Sequence, residues 1–336
     1  MDRTLAPASA YGHIGVIGAG AWGTALALVA AQAGRRVTLW AREAEIVQSV
    51  RAHGRNALFL PDVPLPERIA ATGALEQAAE AEAILLAVPA QHVREMVSGL
   101  GRGALAGRPV ALCAKGIERA TGKLLTEVLV ECGVECPAIL SGPSFAKDVA
   151  QHLPTAVTIA AAEPFGRRLQ ASLGHATFRP YVSEDLVGVA LGGAAKNVYA
   201  IGCGIVAGLG LGESARAALL ARSFAELCRL ARAMGAKDET LMGLSGLGDL
   251  VLTATSPTSR NFSLGLSLGK GVPLPELTAA GQPLAEGVET APALVARGER
   301  HAVELPVAET VADILAQRLT PDAAVPRLMQ RPHRSE

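Results

Sequence analysis

The stretch HIGVIGAGAWGTALALVAAQAG, residues 13–34, contains no carboxylate, lysine or arginine. Its length would suffice for a membrane-spanning helix, since about 20 apolar residues cross a bilayer. However, four glycines fall within its first eleven residues, and glycine weakens a helix. The preceding residues, MDRTLAPASAYG, lack the charged start and apolar run of a signal peptide. The stretch is therefore predicted to be neither a membrane span nor a signal peptide.

The same stretch fits a strand, a turn and a helix. A short apolar run, HIGVIG, leads into Gly18, Gly20 and Gly23 at G-x-G-x-x-G spacing, and an alanine- and leucine-rich segment follows. In this pattern Gly18 permits the tight turn, Gly20 lets the backbone approach a pyrophosphate, and Gly23 lets the helix pack on the strand. A second strand candidate, RRVTLW, completes the context that the motif requires. The sequence therefore predicts a dinucleotide-binding turn.

The end of that second strand bears on which dinucleotide binds. An acidic residue there accepts from the ribose hydroxyls of NAD, whereas a basic residue meets the 2′-phosphate of NADP. The residues after Trp40 are Ala41, Arg42 and Glu43. Arg42 favours NADPH, Glu43 would serve as the ribose ligand if the strand ended one residue later, and a solvated surface pair is the third interpretation.

Composition limits the classes of partner. The 336 residues suffice for about two domains, and the 31 lysines and arginines balance the 31 aspartates and glutamates. A balanced charge gives no net attraction to nucleic acid or to an anionic membrane, so a small-molecule partner is expected and neither nucleic acid nor membrane insertion is. The five cysteines lack metal-ligand spacing, which predicts reduced thiols, a cytoplasmic protein and no metal.

Two patterns divide the chain. Apolar strand candidates alternate with helix candidates after the glycine motif; they are AEAILLAVP, RPVALCAKG, CPAILSG, TAVTIAA and TFRPYVS. From about residue 185 the strand signals stop, and long alanine- and leucine-rich segments repeat apolar residues at helical spacing. The prediction is an α/β protein with a Rossmann-type, doubly wound N-terminal sheet at residues 12–185 and an all-helical C-terminal domain at residues 186–331.

Lys196 is the only charged residue within residues 186–212. Burial disfavours an ammonium ion and lowers its pKa, which allows a lysine to exchange protons near neutral pH. The alternative is a lysine whose stem is buried while its ammonium reaches water. A single carboxylate, Asp249, lies in another apolar run and needs a cationic or hydrogen-bonding partner, for which Lys196 is the natural candidate.

Three further sets of polar residues follow apolar segments. Lys115 and Ser144 each come after a strand candidate, where an open α/β sheet binds ligands, although either could be an ordinary surface or capping residue. Ser259, Arg260 and Asn261 lie on a predicted polar loop, and arginine beside two neutral donors suits a phosphate. Helix capping is the alternative for this last group. No nucleophile motif of a covalent hydrolase is present.

The motifs GAGAWGTALA, CAKGIE, SGPSFAKDVA, AAKNVYAIGCGI, GLGDLVLT and SRNFSLG occur in this order. In sequence and spacing they resemble the NAD(P)-dependent glycerol-3-phosphate dehydrogenases of bacteria, over roughly residues 13–331. The resemblance implies a 6-phosphogluconate dehydrogenase-like fold. It also implies reversible oxidation of sn-glycerol 3-phosphate to dihydroxyacetone phosphate in phospholipid synthesis.

The resemblance also implies site residues. Lys196 matches the proton-transferring lysine, with Asp249 as its catalytic partner. The substrate contacts implied are Lys115, Gly142, Ser144, Lys196, Asp249, Ser259, Arg260 and Asn261. The cofactor contacts implied are Gly18, Gly20, Ala21, Trp22, Gly23, Arg42, Lys115, Ala146, Arg260, Leu284 and Glu286. Ala21 stands where many members have serine, and Leu284 where many have valine.

Two other functions remain open from the sequence. A related two-domain ketopantoate or 3-hydroxy acid reductase would act on a carboxylate, which the Ser-Arg-Asn group fits less well than a phosphate. A sensor that binds NAD(P) without turnover would leave Lys196 and Asp249 unexplained. A homodimer is also left open.

Overall fold

The computed structural model describes residues 8–330, and the chain divides into two units. The first comprises the described chain up to Ala114 together with Leu125–Val189, and the second comprises Lys115–Leu124 and the chain from Ala190 onward. The sequence pattern assigns residues 115–124 to the N-terminal domain, whereas the structure groups them with the helical unit. The limits 12–185 and 186–331 stay predictions, and residue 331 lies outside the described residues.

The first unit is built on a sheet. Within residues 8–330 the strands are β1 (His13–Ile17), β2 (Arg36–Trp40), β3 (Arg55–Asn56), β4 (Leu60–Pro64), β5 (Ile69–Thr72), β6 (Ala83–Leu86), β7 (Pro109–Leu112), β8 (Cys136–Ser141), β9 (Thr155–Ala161) and β10 (Phe178–Ser183). Eight of them form one sheet in the order β10-β9-β8-β7-β6-β1-β2-β5, and β3 and β4 form a separate antiparallel hairpin. Neighbours in the large sheet are parallel except β8 and β9.

Strand β1 is the third strand from the β5 edge of this sheet, paired with β2 on one side and β6 on the other. The chain first builds outward through β2 and β5 and then crosses to β6, so the strand order reverses between β1 and β6. Ligands of doubly wound sheets bind outside the carboxyl ends of the strands at such a reversal. The glycine-rich turn directly follows β1 and therefore lies at this edge.

The helices of the first unit are α1 (Ala21–Gln32), α2 (Ala44–His53), α3 (Leu75–Ala79), α4 (Val93–Leu100), α5 (Arg102–Leu105), α6 (Leu125–Glu131), α7 (Ala146–Ala150) and α8 (Phe165–Leu173), with a 3₁₀ turn at Ala90–His92. Helix α1 is buried from Gly23 to Ala31, as its uninterrupted run of small and apolar residues requires. The five later strand candidates of the sequence correspond to β6–β10. The short strands β3–β5 carry little apolar periodicity and escaped prediction.

From residue 186 onward the described chain is helical. The elements are α9 (Leu186–Gly208), α10 (Glu213–Ala233), α11 (Asp238–Met242), a π-helical segment (Leu244–Gly248), α12 (Asp249–Thr255), α13 (Arg260–Gly269), α14 (Leu274–Leu277), α15 (Glu286–Arg300), α16 (Pro306–Leu315) and α17 (Pro321–Met329). The predicted fold class, a Rossmann-type doubly wound sheet followed by an all-helical domain, is confirmed.

Helix α9 forms the centre of the helical unit. A Cβ on Gly204 would lie 2.1 Å from the carbonyl oxygen of Phe262, and one on Gly265 would lie 2.0 Å from that of Ile201. Glycine is therefore required where α9 and α13 pack backbone to backbone. Among the described residues, α9 alone is long and apolar enough to cross a membrane, but 94% of its most apolar window is buried within the protein. That burial identifies α9 as a core helix.

Candidate active site

The glycine-rich turn of the first unit has the geometry that its motif predicts. Gly18 has φ +109°, and a Cβ there would lie 2.8 Å from the carbonyl oxygen of Ala87. A Cβ on Gly23 would lie 1.8 Å from the carbonyl oxygen of Gly18, so α1 packs directly on the turn. Around Gly20, by contrast, no atom beyond its two chain neighbours lies within 4 Å of the position that a Cβ would take. The turn therefore leaves open space in front of the first N–H groups of α1, which lack partners within the helix.

The structure places the predicted cofactor residues near the turn in two different environments. Trp22, in the first turn of α1, has its indole Nε1 shielded from solvent and without a hydrogen-bond partner among residues 8–330. Arg42 lies two residues beyond β2 with its side chain 78% exposed, and it binds the Glu43 carboxylate at 2.8 Å. A shielded donor without a partner, together with the space at Gly20, fits a dinucleotide cofactor. Arg42 and Glu43 are paired at the surface, and the cofactor roles expected of them stay predictions.

Gly142, Ser144 and Ala146 follow β8 in the first unit. Gly142 has φ +148°, and a Cβ there would lie 2.9 Å from the Cα of Val157, so glycine is required by the fold. The Ser144 hydroxyl donates to the carbonyl oxygen of Gly142 at 3.0 Å. Ala146 is the first residue of α7, which has only five residues. The binding roles implied for these three residues stay predictions.

In the helical unit, one carboxylate holds two lysines. The Lys196 ammonium donates to Oδ1 of Asp249 at 2.5 Å and to the Thr253 hydroxyl at 2.9 Å. The Lys115 ammonium donates to Oδ2 of the same carboxylate at 2.6 Å. Asp249 is 1% exposed and Lys196 8%. The pairing of Lys196 with Asp249 expected from the sequence is thus present, and Lys196 does not reach out to water as the alternative required.

Local structure explains how Asp249 reaches Lys196. Asp249 is the first residue of α12 and directly follows the π-helical segment. A Cβ on Gly192 of α9 would lie 2.7 Å from the carbonyl oxygen of Ser245 in that segment, so α9 and the segment touch backbone to backbone. Thr253 lies one helical turn after Asp249, and its side chain therefore reaches the same ammonium.

Burial dominates the electrostatics of this cluster. It lowers the pKa of Lys196 to about 7; the Asp249 carboxylate opposes this, and the neighbouring Lys115 ammonium adds to it. A lysine with a pKa near neutrality is present in both protonation states at physiological pH. Such a lysine can take or give a proton, which defines the cluster as a candidate acid–base centre.

Two asparagines link this cluster to the start of α15. The Asn197 amide donates to the carbonyl oxygen of Lys115 at 2.9 Å, and the Asn261 amide donates to Oδ1 of Asn197 at 2.9 Å. The N–H of Gly287 donates in turn to Oδ1 of Asn261. Sequence reasoning missed Asn197 and Thr253 as members of the site. The available signals were the position next to Lys196 and the four-residue spacing from Asp249.

The predicted polar loop is the beginning of a helix. Ser259 caps α13, its hydroxyl oxygen accepting from the N–H of Phe262 at 3.2 Å. Arg260 and Asn261 are the first two residues of that helix, so the loop expected from the sequence is wrong. Arg260 is exposed and has no hydrogen-bond or ion-pair partner in the described chain. Ser259 and Asn261 are buried, which leaves the guanidinium as the outermost of the three.

The remaining predicted cofactor residues lie at the start of α15. Glu286 is the first residue of α15, and Leu284, two residues earlier, is 46% exposed. The implied role of Leu284 stays a prediction, as does that of Glu286.

A Rossmann-type unit with a dinucleotide turn and a helical unit with a buried acid–base lysine define the class of two-domain nicotinamide-dependent dehydrogenases. Family models described as NAD-dependent glycerol-3-phosphate dehydrogenase N-terminus and C-terminus match residues 13–165 and 185–326. The chain therefore belongs to the NAD-dependent glycerol-3-phosphate dehydrogenase family.

Sequence and structural similarity to known relatives extends over nearly the whole chain. A glycerol-3-phosphate dehydrogenase [NAD(P)+] of Parvibaculum lavamentivorans is 56% identical over 329 residues, which cover 97% of this chain and 99% of the relative. One of Maricaulis maris is 52% identical, covering 96% and 98%. The crystal structure of glycerol-3-phosphate dehydrogenase from Coxiella burnetii has a TM-score of 0.90 at 40% identity, covering 96% of this chain and 99% of that one.

Proposed function

We propose that the protein interconverts sn-glycerol 3-phosphate and dihydroxyacetone phosphate with NADP or NAD, and that it prefers NADPH. The observation that carries the proposal is Lys196, a buried lysine with a pKa near 7 in a helical unit of this family. Family membership favours this activity over a ketopantoate or hydroxy acid reductase. The ion-paired lysine favours an enzyme over a sensor.

The proposed chemistry needs a group that exchanges one proton. When bound, the nicotinamide supplies the hydride acceptor for oxidation and the donor for reduction. The C2 hydroxyl of glycerol 3-phosphate must lose its proton as the hydride leaves, and neutral Lys196 accepts that proton at Nζ. In the reverse direction the Lys196 ammonium returns the proton to the oxygen at C2. Asp249 holds Nζ in place through its 2.5 Å contact.

Lys115 contributes positive charge to the same cluster. Its ammonium occupies the second oxygen of Asp249, so that one carboxylate orients both lysines. Because the Lys115 charge lowers the pKa of Lys196, it favours the neutral amine that oxidation requires. We assign Lys115 and Asp249 to the substrate site on this basis.

The start of α13 is the proposed phosphate site. The Arg260 guanidinium is exposed and unpaired in the described chain, and guanidinium binds phosphate through paired donors. The Ser259 hydroxyl, which accepts from Phe262, retains its own hydrogen for donation, and the Asn261 amide retains its second N–H. The N-terminus of this ten-residue helix adds a favourable dipole. Phosphate held here would position C2 for the reaction.

Substrate comparison tests the phosphate site. Arg260→Ala should weaken turnover of dihydroxyacetone phosphate far more than that of unphosphorylated dihydroxyacetone, measured as NADPH oxidation at 340 nm. Arg318→Ala, which removes an exposed arginine bound to Asp313, serves as the control and should change neither. Equal losses on both substrates would assign Arg260 to the fold or to the cofactor alone. Absence of any NADPH oxidation by the wild-type protein would overturn the proposed function.

For the cofactor site we propose the turn Gly18–Gly23 with Trp22, the 2′-phosphate partner Arg42, and the implied contacts Ala146, Leu284 and Glu286. We place the reaction in the cytoplasm, where it would supply glycerol 3-phosphate for phospholipid synthesis. The five free cysteines suit a reducing compartment. Light scattering of the purified protein tests whether it forms a homodimer.

A further inference from the structure

The buried side chain of Asn56 joins the β3–β4 hairpin to the glycine-rich turn. Its amide nitrogen donates to the carbonyl oxygen of Ala19 at 2.8 Å and to the Thr24 hydroxyl at 2.8 Å. Its Oδ1 accepts from the N–H of Phe59 in the hairpin loop at 3.3 Å. Asn56 is 0% exposed. Both amide hydrogens and the amide oxygen are thus used within the first unit.

The contact falls on the peptide that matters for phosphate binding. The carbonyl of Ala19 and the N–H of Gly20 belong to one planar trans peptide, in which they point in opposite directions. The Thr24 hydroxyl also donates to this carbonyl at 3.3 Å, so two donors hold it toward the interior. The N–H of Gly20 is consequently held away from Asn56, on the open side of the turn.

We propose that Asn56 is a positioning residue for cofactor binding, which sets the orientation of the Ala19–Gly20 peptide so that the turn can receive a pyrophosphate. This inference rests on the dinucleotide cofactor of the proposed function. Glycine has little intrinsic preference for one backbone conformation, so a glycine-rich turn needs an external constraint to hold a single geometry. Asn56, which lies more than thirty positions further along the chain, supplies that constraint.

The test compares cofactor affinity with stability in matched variants. Asn56→Ala removes all three bonds, whereas Asn56→Asp keeps an acceptor for Phe59 and removes the amide donor. Ser172→Ala is the control, because Ser172 is also fully buried in the first unit, where its hydroxyl accepts from the N–H of Tyr11 and donates to the carbonyl of Arg168. The measurements are the NADPH dissociation constant by calorimetry, kcat at saturating NADPH, and the thermal unfolding midpoint.

Both Asn56 variants should raise the NADPH dissociation constant about tenfold, as expected for losing two hydrogen bonds that order the turn, while kcat at saturation stays within about twofold. Ser172→Ala should lower the unfolding midpoint and leave the dissociation constant within about twofold. If Asn56→Ala does not fold, Asn56→Asp and Thr24→Val carry the test; Thr24→Val should raise the dissociation constant about threefold.

The inference is overturned if the Asn56 variants raise the dissociation constant no more than Ser172→Ala does. It is also overturned if kcat falls while NADPH affinity is kept. A wild-type protein that binds NADPH without reducing dihydroxyacetone phosphate would defeat the proposed function alone, because the affinity comparison would still be measurable.

Discussion

The glycine-rich turn and the lysine cluster prepare for ligands by opposite means. The turn works through missing side chains: Gly20 leaves open space, and Gly18 and Gly23 allow the backbone to fold tightly. The lysine cluster works through side chains that are costly to bury, with Lys196 and Asp249 both below a tenth exposed. The first site needs a backbone conformation, and the second needs a charge balance.

The two sites also differ in the sequence separation of the residues that form them. Most residues that shape the turn lie within Gly18–Thr24; Asn56 and Ala87 contribute from elsewhere in the first unit. The cluster joins Lys115 to Asp249, which are 134 residues apart, and Lys196 to Asp249, which are 53 apart. We therefore expect substitutions at the turn to affect cofactor binding and substitutions in the cluster to affect chemistry.

Replacing Lys196 should give the largest effect. Lys196→Ala should lower kcat by about 10²- to 10⁴-fold, the usual contribution of a positioned acid or base, with the NADPH dissociation constant nearly unchanged. Lys196→Arg should not restore turnover, because guanidinium does not release its proton in this range. Wild-type turnover in either variant would reject the acid–base role and make Lys115 the next candidate.

The pH dependence of the wild-type protein sharpens the same assignment. Oxidation needs the neutral amine, so kcat/KM for glycerol 3-phosphate should rise with pH through one ionisation near 7. Reduction needs the ammonium, so kcat/KM for dihydroxyacetone phosphate should fall with pH through the same ionisation. Steady-state rates between pH 5.5 and 9 check both limbs, and two profiles of the same sign would contradict the mechanism.

At the turn, Gly20→Ala should weaken cofactor binding while leaving the stability of the protein unchanged. A Cβ there meets no protein atom within 4 Å, so the thermal midpoint should hardly change. The methyl group would occupy the proposed pyrophosphate space, and loss of even one hydrogen bond to a charged group should raise the KM for NADPH by about tenfold or more. The control is Gly99→Ala in α4, where a Cβ also meets nothing within 4 Å. Equal KM values in the two variants would move the cofactor away from this turn.

Arg42→Asp should alter cofactor choice by a smaller amount. The exposed setting of Arg42 and its pairing with Glu43 limit the expected discrimination to about 1–2 kcal/mol, roughly a tenfold rise in KM for NADPH relative to NADH. Glu43→Gln is the companion variant. If Glu43 is instead the ribose ligand, that variant will raise the KM for NADH and Arg42→Asp will affect both cofactors equally.

A substitution at Glu226 should change stability and leave turnover and cofactor affinity unchanged. Burial raises the pKa of this carboxyl from 4.5 to about 7, against the opposing N–H groups of Val307 and Ala308. Because the folded pKa lies above the unfolded one, the associated stability is present below about pH 4.5 and is lost as pH rises through 7. Glu226→Gln should flatten the decline in unfolding free energy between pH 5 and 7 by about 1–3 kcal/mol. Glu299→Gln, at an exposed position, should leave that decline unchanged in denaturant titrations.

Local sequence patterns determined the glycine-rich turn, strands β6–β10, the helical nature of the second unit and the buried position of Lys196. Each depends on spacing within about 30 residues, where backbone geometry and periodic burial follow directly from residue type. The polar residues that follow the apolar runs were recognised from the sequence, but the groups that they contact in the folded protein were not.

Only the tertiary structure decided which distant groups meet. It placed residues 115–124 with the helical unit, because Asn197, Asp249 and Arg297 all bind within that segment. It also brought Asn56 to the glycine turn and added Thr253 and Asn197 to the lysine cluster. A buried polar side chain must find a partner, but its identity depends on packing across the whole unit, which no local pattern encodes.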